Sequence, residues 1–162
     1  MRTVFLDIET DDLDASLIYC VVTYEESVGF KEWIDNIGLE EYLQDALVVA
    51  HNGLSFDFPV LARLWDIHLT MSQMRDTLLL SMMESPAREG GHSLKAWGIR
   101  LGHEKAEFND FTAFTSEMLE YCKQDVTVCK HLYYFLENAM SQFSEKSISD
   151  EHRMRIVADR VS

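Results

Sequence analysis

The chain has 162 residues, 47% of them hydrophobic, with only 7 Gly and 2 Pro. That is enough apolar mass for one domain with a real core, and it excludes a disordered chain. A formal charge of −14 excludes a broad basic face gripping duplex through its phosphates. A nucleic-acid substrate would be held over a few nucleotides at an end, with divalent cations supplying much of the positive charge.

Thr3–Glu9 sets Phe5, Asp7 and Glu9 against Val4, Leu6 and Ile8. Both faces are occupied, the pattern of a central strand. Ile18–Tyr24 and Val28–Trp33 flank Glu25-Glu26-Ser27 and predict a hairpin. Leu39–Gln44 predicts a short helix, and Ala46–Ala50 a buried strand leading into His51-Asn52-Gly53. From Asp57 a helix follows, with Pro59 in its first turn and a stripe of Val60, Leu61, Leu64 and Trp65. Thr77–Met83 and His92–Leu101 predict two further helices, separated by Ser85-Pro86 and Glu89-Gly90-Gly91.

The longest helix is predicted from about Ser116 to Met140, with Met118, Cys122, Cys129, Leu132 and Leu136 on its apolar stripe. The domain is therefore expected over residues 1–140. Residues 141–162 are expected as a charged tail or as a final helix of the same domain around Met154, Val157 and Val161. Strands, then a strand joined by helices, then helices predict an α/β fold: a mixed sheet with an antiparallel hairpin, flanked by helices.

Cys20, Cys122 and Cys129 form no CxxC pair, and the odd count argues against a disulfide framework. The start of the chain lacks the pattern of a signal peptide, and no apolar run reaches membrane-spanning length, so a cytoplasmic protein with no membrane partner is expected.

The chemistry lies in acids placed where a core residue would be expected. Asp7 and Glu9 leave the same side of one strand. Asp57 opens a helix, and Asp125 falls inside an apolar stripe with Tyr121 one turn before it. Carboxylates converging without a cation repel by roughly 4 kcal/mol per pair at about 4 Å and an effective dielectric near 20. Hard oxygen ligands without His or Cys favour Mg²⁺ or Mn²⁺. Two such ions about 3.5–4 Å apart can hold both the attacking and the leaving oxygen of a phosphoryl displacement.

Asp7-x-Glu9, Asp57 and Tyr121-x-x-x-Asp125 resemble the three motifs of the DnaQ-like 3′–5′ exonucleases, in the branch with Tyr in the third motif (DEDDy). His51-Asn52-Gly53 leading into Phe56-Asp57, and the run from His92 to Gly102, resemble the proofreading exonuclease domains of bacteriophage family A DNA polymerases. The resemblance covers roughly residues 3–140. It implies a ribonuclease H-like fold and two-metal removal of nucleoside 5′-monophosphates from single-stranded DNA 3′ ends by a phage-encoded protein in the host cytoplasm.

By that match Asp7 bridges two divalent cations, Glu9 and Asp125 hold the first, and Asp57 completes the site directly or through water. Tyr121 positions the attacking water. Thr10, Leu13, Asn52 and Phe56 fall where proofreading domains contact the terminal nucleotides. Leu13 would wedge between the last two bases, while Asn52 and Phe56 hold sugar and base. Two alternatives stay open: an exoribonuclease of the same fold, and an interaction module docking a DNA polymerase in trans.

Other features carry plainer expectations. His51 reads as a hydrogen-bonded loop residue and His92 as a helix partner or a substrate contact. Asp76-Thr77 reads as a helix cap. Trp65, Trp97 and the group Met71, Met74, Met82 and Met83 read as core. Glu25, Glu26, Glu40 and Glu41 read as solvated.

Overall fold

The computed structural model describes residues 1–104 and 107–147. Five strands form one sheet in the order β3-β2-β1-β4-β5. β1 (Arg2–Thr10) sits at its centre. It pairs antiparallel with β2 (Ile18–Glu25) and parallel with β4 (Ala46–Ala50). β3 (Gly29–Trp33) extends the hairpin from β2, and β5 (Met74–Asp76) lies parallel to β4 at the other edge. Gly29 takes φ +88° as the hairpin closes, a conformation that favours glycine. This is the ribonuclease H-like mixed sheet with an antiparallel hairpin that the sequence and its resemblance led us to expect.

The period-2 alternation of β1 divides its side chains between two layers. Val4, Leu6 and Ile8 join Leu39, Leu43, Phe58 and Leu61, contributed by α1 (Leu39–Leu43) and α2 (Asp57–Trp65). Phe5 instead joins Val22, Val49, Cys122, Val126 and Cys129 beneath the long C-terminal helix. Asp7 and Glu9 share the side of Phe5 and so face that helix. α3 (Thr77–Glu84) and α4 (Leu94–Arg100) pack against α5 (Ser116–Ser147). The predicted stripe of α5 is buried at all five apolar positions, with Asp125 buried among them.

α5 runs on to Ser147, past the Met140 end expected for it. The final helix expected around Met154, Val157 and Val161 lies outside the described residues. β5, three residues long and preceded by a 3₁₀ turn at Met71–Gln73, was not foreseen. With it comes a correction to the methionine group: Met71 is 73% exposed and Met82 40%, because the turn and the outer face of α3 point them to solvent. Trp97 is buried as expected, while Trp65 is only partly so.

Glu25 is a second correction. It is buried at the sheet end, where Arg2 Nε donates to it at 2.9 Å and Tyr42 Oη at 2.9 Å. Those two hydrogen bonds satisfy a carboxylate that the sequence placed in water, and Arg2 holds it below the ordinary range.

Candidate active site

The parallel register decides where the acids meet. Phe5 lies opposite Val49, so β4 ends one residue later while β1 continues through Asp7, Ile8, Glu9 and Thr10. The chain leaving β4 turns through residues 51–56 beside that overhang, and Asp57 opens α2 there. Asp125 and Tyr121 arrive from α5 in the opposite layer. A cleft of about 340 Å³ results, bordered by Asp7, Glu9, Leu13, Phe56, Tyr121 and Asp125, with Thr10 also in its wall.

Glu9, Asp57 and Asp125 are buried, and Asp7 is partly exposed. Burial pushes the Asp7 carboxyl well above the ordinary carboxylate range, and the charges of Asp125, Asp57 and Glu9 push it the same way. Burial likewise raises Asp57 to about 8, with Asp76 and Asp125 adding to the effect and backbone N–H groups opposing it. Asp57 Oδ2 is buried with no hydrogen-bond partner among the described residues. One orphaned oxygen among mutually repelling carboxylates suits a divalent cation.

Ligand atoms of Asp7, Glu9 and Cys122 lie within 4.8 Å of one another. The sulfur is the odd member. Burial, with Asp7 and Glu9 beside it, raises the Cys122 thiol well above its ordinary value, so it stays protonated and donates to Asp7. The donor set left for an ion is carboxylate oxygen, which suits Mg²⁺ or Mn²⁺.

The other predicted residues fall into place unevenly. Leu13 is 87% exposed at the tip of the loop after β1. Asp11 cinches this loop, its carboxylate accepting from Ser16 N and Leu17 N at 3.0 Å each and from the Ser16 hydroxyl; those bonds hold it down at about 2. Thr10 is buried and donates through Oγ1 to the Asp12 carbonyl at 2.8 Å. Phe56 borders the cleft, whereas Asn52 and Asp57 do not. Asn52 takes φ +61°, a left-handed conformation that Asn tolerates better than most residues, which gives it a backbone reason to be there.

Two residues, and a second role of a third, were missed by sequence reasoning. Phe111 borders the cleft, its carbonyl accepting from Tyr19 Oη at 2.9 Å. Phe108 stacks edge-on against it and tilts over Tyr121 at 5.5 Å. The paired aromatics in the polar stretch before α5 were the available signal. Asp76 caps α3 through Leu78 N as read, and it also binds the turn before Asp57.

His51 Nδ1 lies 2.8 Å from Thr77 Oγ1, in keeping with a loop hydrogen bond. His92 Nδ1 lies 2.6 Å from Ser81 Oγ on α3.

No protein-family model matches the chain. It is 28% identical over 198 residues to the DNA-directed DNA polymerase of Escherichia phage T7, and equally so to that of Enterobacteria phage T3. Those matches cover 90% of this chain and 26% of each polymerase, so the chain spans about a quarter of their length. Among solved structures, Brucella melitensis NrnC with bound Mg²⁺ superposes with a TM-score of 0.71 at 19% identity, over 98% of this chain and 83% of that one. Escherichia coli RNase D gives 0.68 at 14% identity, over 99% of this chain and 45% of that one.

The chain thus shares sequence with these phage polymerases and its fold with NrnC and RNase D. The three acid-bearing stretches follow along this fold in the order in which they resemble the DnaQ-like exonuclease motifs. Within the described residues no helix is long and apolar enough to cross a membrane.

Proposed function

We propose that this protein is a divalent-metal-dependent 3′–5′ exonuclease that removes nucleoside 5′-monophosphates from single-stranded DNA ends. The observation that carries this reading is the meeting, at one overhanging strand, of carboxylates from three separate stretches with Tyr121 beside them and an exposed Leu13 at the lip of the same cleft.

Asp7, Glu9, Asp57 and Asp125 would hold two Mg²⁺ or Mn²⁺ ions, which would neutralise the acids and polarise phosphate and water. Tyr121 orients the attacking water through its hydroxyl; a phenol is a poor base near neutral pH, so its part is positioning. Thr10, Leu13, Asn52 and Phe56 engage the last nucleotides: Leu13 separates the terminal bases, and Phe56 packs on one of them. The acidity of the chain agrees with a grip limited to the end of a strand.

One observation favours a second reading, a 3′–5′ exoribonuclease: RNase D is described as an exoribonuclease involved in structured RNA processing. Against it stands the likeness to phage DNA polymerases, which would also suit a proofreading role with a polymerase in trans.

Digestion of 5′-labelled DNA and RNA oligonucleotides side by side, with Mg²⁺, Mn²⁺ or EDTA, tests both. A DNA ladder shortening from the 3′ end with either ion and absent in EDTA supports the first reading. Faster RNA digestion replaces it with the second. Asp7→Ala and Asp125→Ala should abolish release while the protein stays folded; an active variant would remove that residue from the site.

A further inference from the structure

We propose that Asp76 is a positioning residue for the reaction, holding the turn that carries Asn52, Phe56 and Asp57. This rests on the exonuclease reading above. The turn over residues 51–56 belongs to no strand or helix, yet it must present Phe56 to the cleft and Asp57 to the overhang of β1. Some of its backbone groups pair internally: Phe56 N donates to Asn52 O at 3.0 Å and Phe58 N to Gly53 O at 2.9 Å. The N–H groups of Asn52 and Leu54 point out of the turn. Both end on Asp76.

Asp76 Oδ1 accepts from Asn52 N at 2.9 Å and Oδ2 from Leu54 N at 3.2 Å. Oδ1 also accepts from Leu78 N at 2.9 Å, capping α3. Asp76 is only 4% exposed, and its backbone is fixed opposite Ala50, the last residue of β4. The strand that launches the turn and the carboxylate that catches it are thus neighbours in the sheet. Next to it, Thr77 Oγ1 lies 2.8 Å from His51 Nδ1 and 3.7 Å from Cys129 Sγ on α5, a second strap on the same turn.

A cap alone does not require aspartate here. Ser or Asn supplies one acceptor oxygen to a helix N-terminus about as well. What only the carboxylate supplies is acceptor capacity on both oxygens, with charge-assisted bonds to two turn amides as well as the cap. Asn would set an NH₂ group against one of those N–H donors. Asp76 does not border the cleft. It acts through the turn.

Asp76→Asn, with Asp76→Ser as the second variant, keeps the cap and removes one acceptor. Three measurements on the full chain follow: amide hydrogen exchange by NMR, steady-state release from a 5′-labelled single-stranded DNA oligonucleotide with Mg²⁺, and melting temperature. We expect Asn52 or Leu54 N–H to exchange at least tenfold faster while Leu78 N–H stays within threefold of wild type. We expect kcat/KM to fall about tenfold or more, and Asn52→Ala to cost less in the Asp76→Asn background than in wild type, the non-additivity of residues acting as one unit.

Unchanged turn amides overturn the proposal. So do faster amides with kinetic constants within twofold of wild type, strictly additive effects, or failure of both variants to fold, which would make the role structural. Wild-type protein releasing no nucleotide overturns the exonuclease reading instead, and the exchange arm still decides whether Asp76 holds the turn.

Discussion

The Cys122 thiol on α5 donates to Asp7 on β1, with Sγ 3.4 Å from Oδ2 and 3.6 Å from the Asp7 carbonyl oxygen. A protonated sulfur beneath a carboxylate favours its charged form, the one needed beside a cation. Cys122→Ser keeps a donor of similar size and should retain activity within a few-fold of wild type. Cys122→Val should lower it by about tenfold. All three cysteines are buried, so the native protein should react slowly with a thiol reagent and titrate fully only after denaturation. Rapid labelling of native Cys122 would contradict its placement.

Asp57 tests the cost of the acid cluster. Its carboxyl is buried and raised to about 8, so folding forces it to take up a proton or carry a poorly solvated charge. Asp57→Asn removes that penalty. The variant should be more stable than wild type in EDTA by roughly 1–3 kcal/mol at pH 7, since a tenfold change in a carboxyl's proton affinity on folding is worth about 1.4 kcal/mol before the site relaxes. Activity should be lost. Chemical denaturation in EDTA measures the first effect, and a less stable variant would show that burying this acid carries no such cost.

The pH dependence has a definite sign. Asp7 and Asp57 are both raised in the folded state, so the folded protein binds more protons than the unfolded one above the ordinary carboxylate range. Their contribution to stability is fully present at acid pH and is lost as pH rises, that of Asp57 through about 8. In EDTA the melting temperature should therefore decline between about pH 5 and pH 8. On the proposed function Mg²⁺ would bind the ionised acids, and it should then raise the melting temperature more at pH 8 than at pH 5. Differential scanning fluorimetry over this range, with and without Mg²⁺, checks both slopes.

What could be read from the chain was whatever short-range pattern carries. The alternation of Phe5, Asp7 and Glu9 placed two acids on one face before any partner was known, and the stripe of α5 placed Asp125 inside the core layer. Glu25 could not be read that way, because its burial depends on Arg2 and Tyr42, which reach it from the start of β1 and from α1. Met71 and Met82 misled for the converse reason: apolar residues with no partner in space stay at the surface. β5 is three residues long, too short for periodicity to register, and with it went the second role of Asp76. The cleft wall at Phe111, with Phe108 packed behind it, rests on a ring contact with Tyr121 and an anchor from Tyr19, which no local pattern encodes.

Glu25 makes a stability prediction of its own. The Arg2 Nε–Glu25 hydrogen bond is itself an ion pair, at 2.9 Å, and Arg2 donates to the Tyr42 carbonyl at 2.7 Å, tying β1, β2 and α1 together. Glu25→Ala leaves Arg2 and the Tyr42 hydroxyl short of an acceptor, which costs about 1–2 kcal/mol. The melting temperature should drop by several degrees while kcat and KM stay at wild-type values, since the knot lies away from the cleft.

Gly53→Ala should do the opposite, harming function as well as stability. A Cβ at Gly53 would sit 2.8 Å from the Ala50 Cβ and 2.8 Å from Phe58 Cε2. Neither neighbour yields easily: Ala50 ends β4 with its Cβ fixed to the sheet backbone, and Phe58 is buried in the α2 layer. The turn itself must move, and it carries Phe56 and Asp57. Overpacking of this kind costs about 1–3 kcal/mol. A displacement approaching 1 Å at a reacting group costs about a hundredfold in rate, so a loss of tenfold or more in kcat is expected from a protein that still folds. Steady-state kinetics beside a melting curve separates the two effects. If Gly53→Ala kept wild-type kcat at a lowered melting temperature, the position of Asp57 would not depend on this turn.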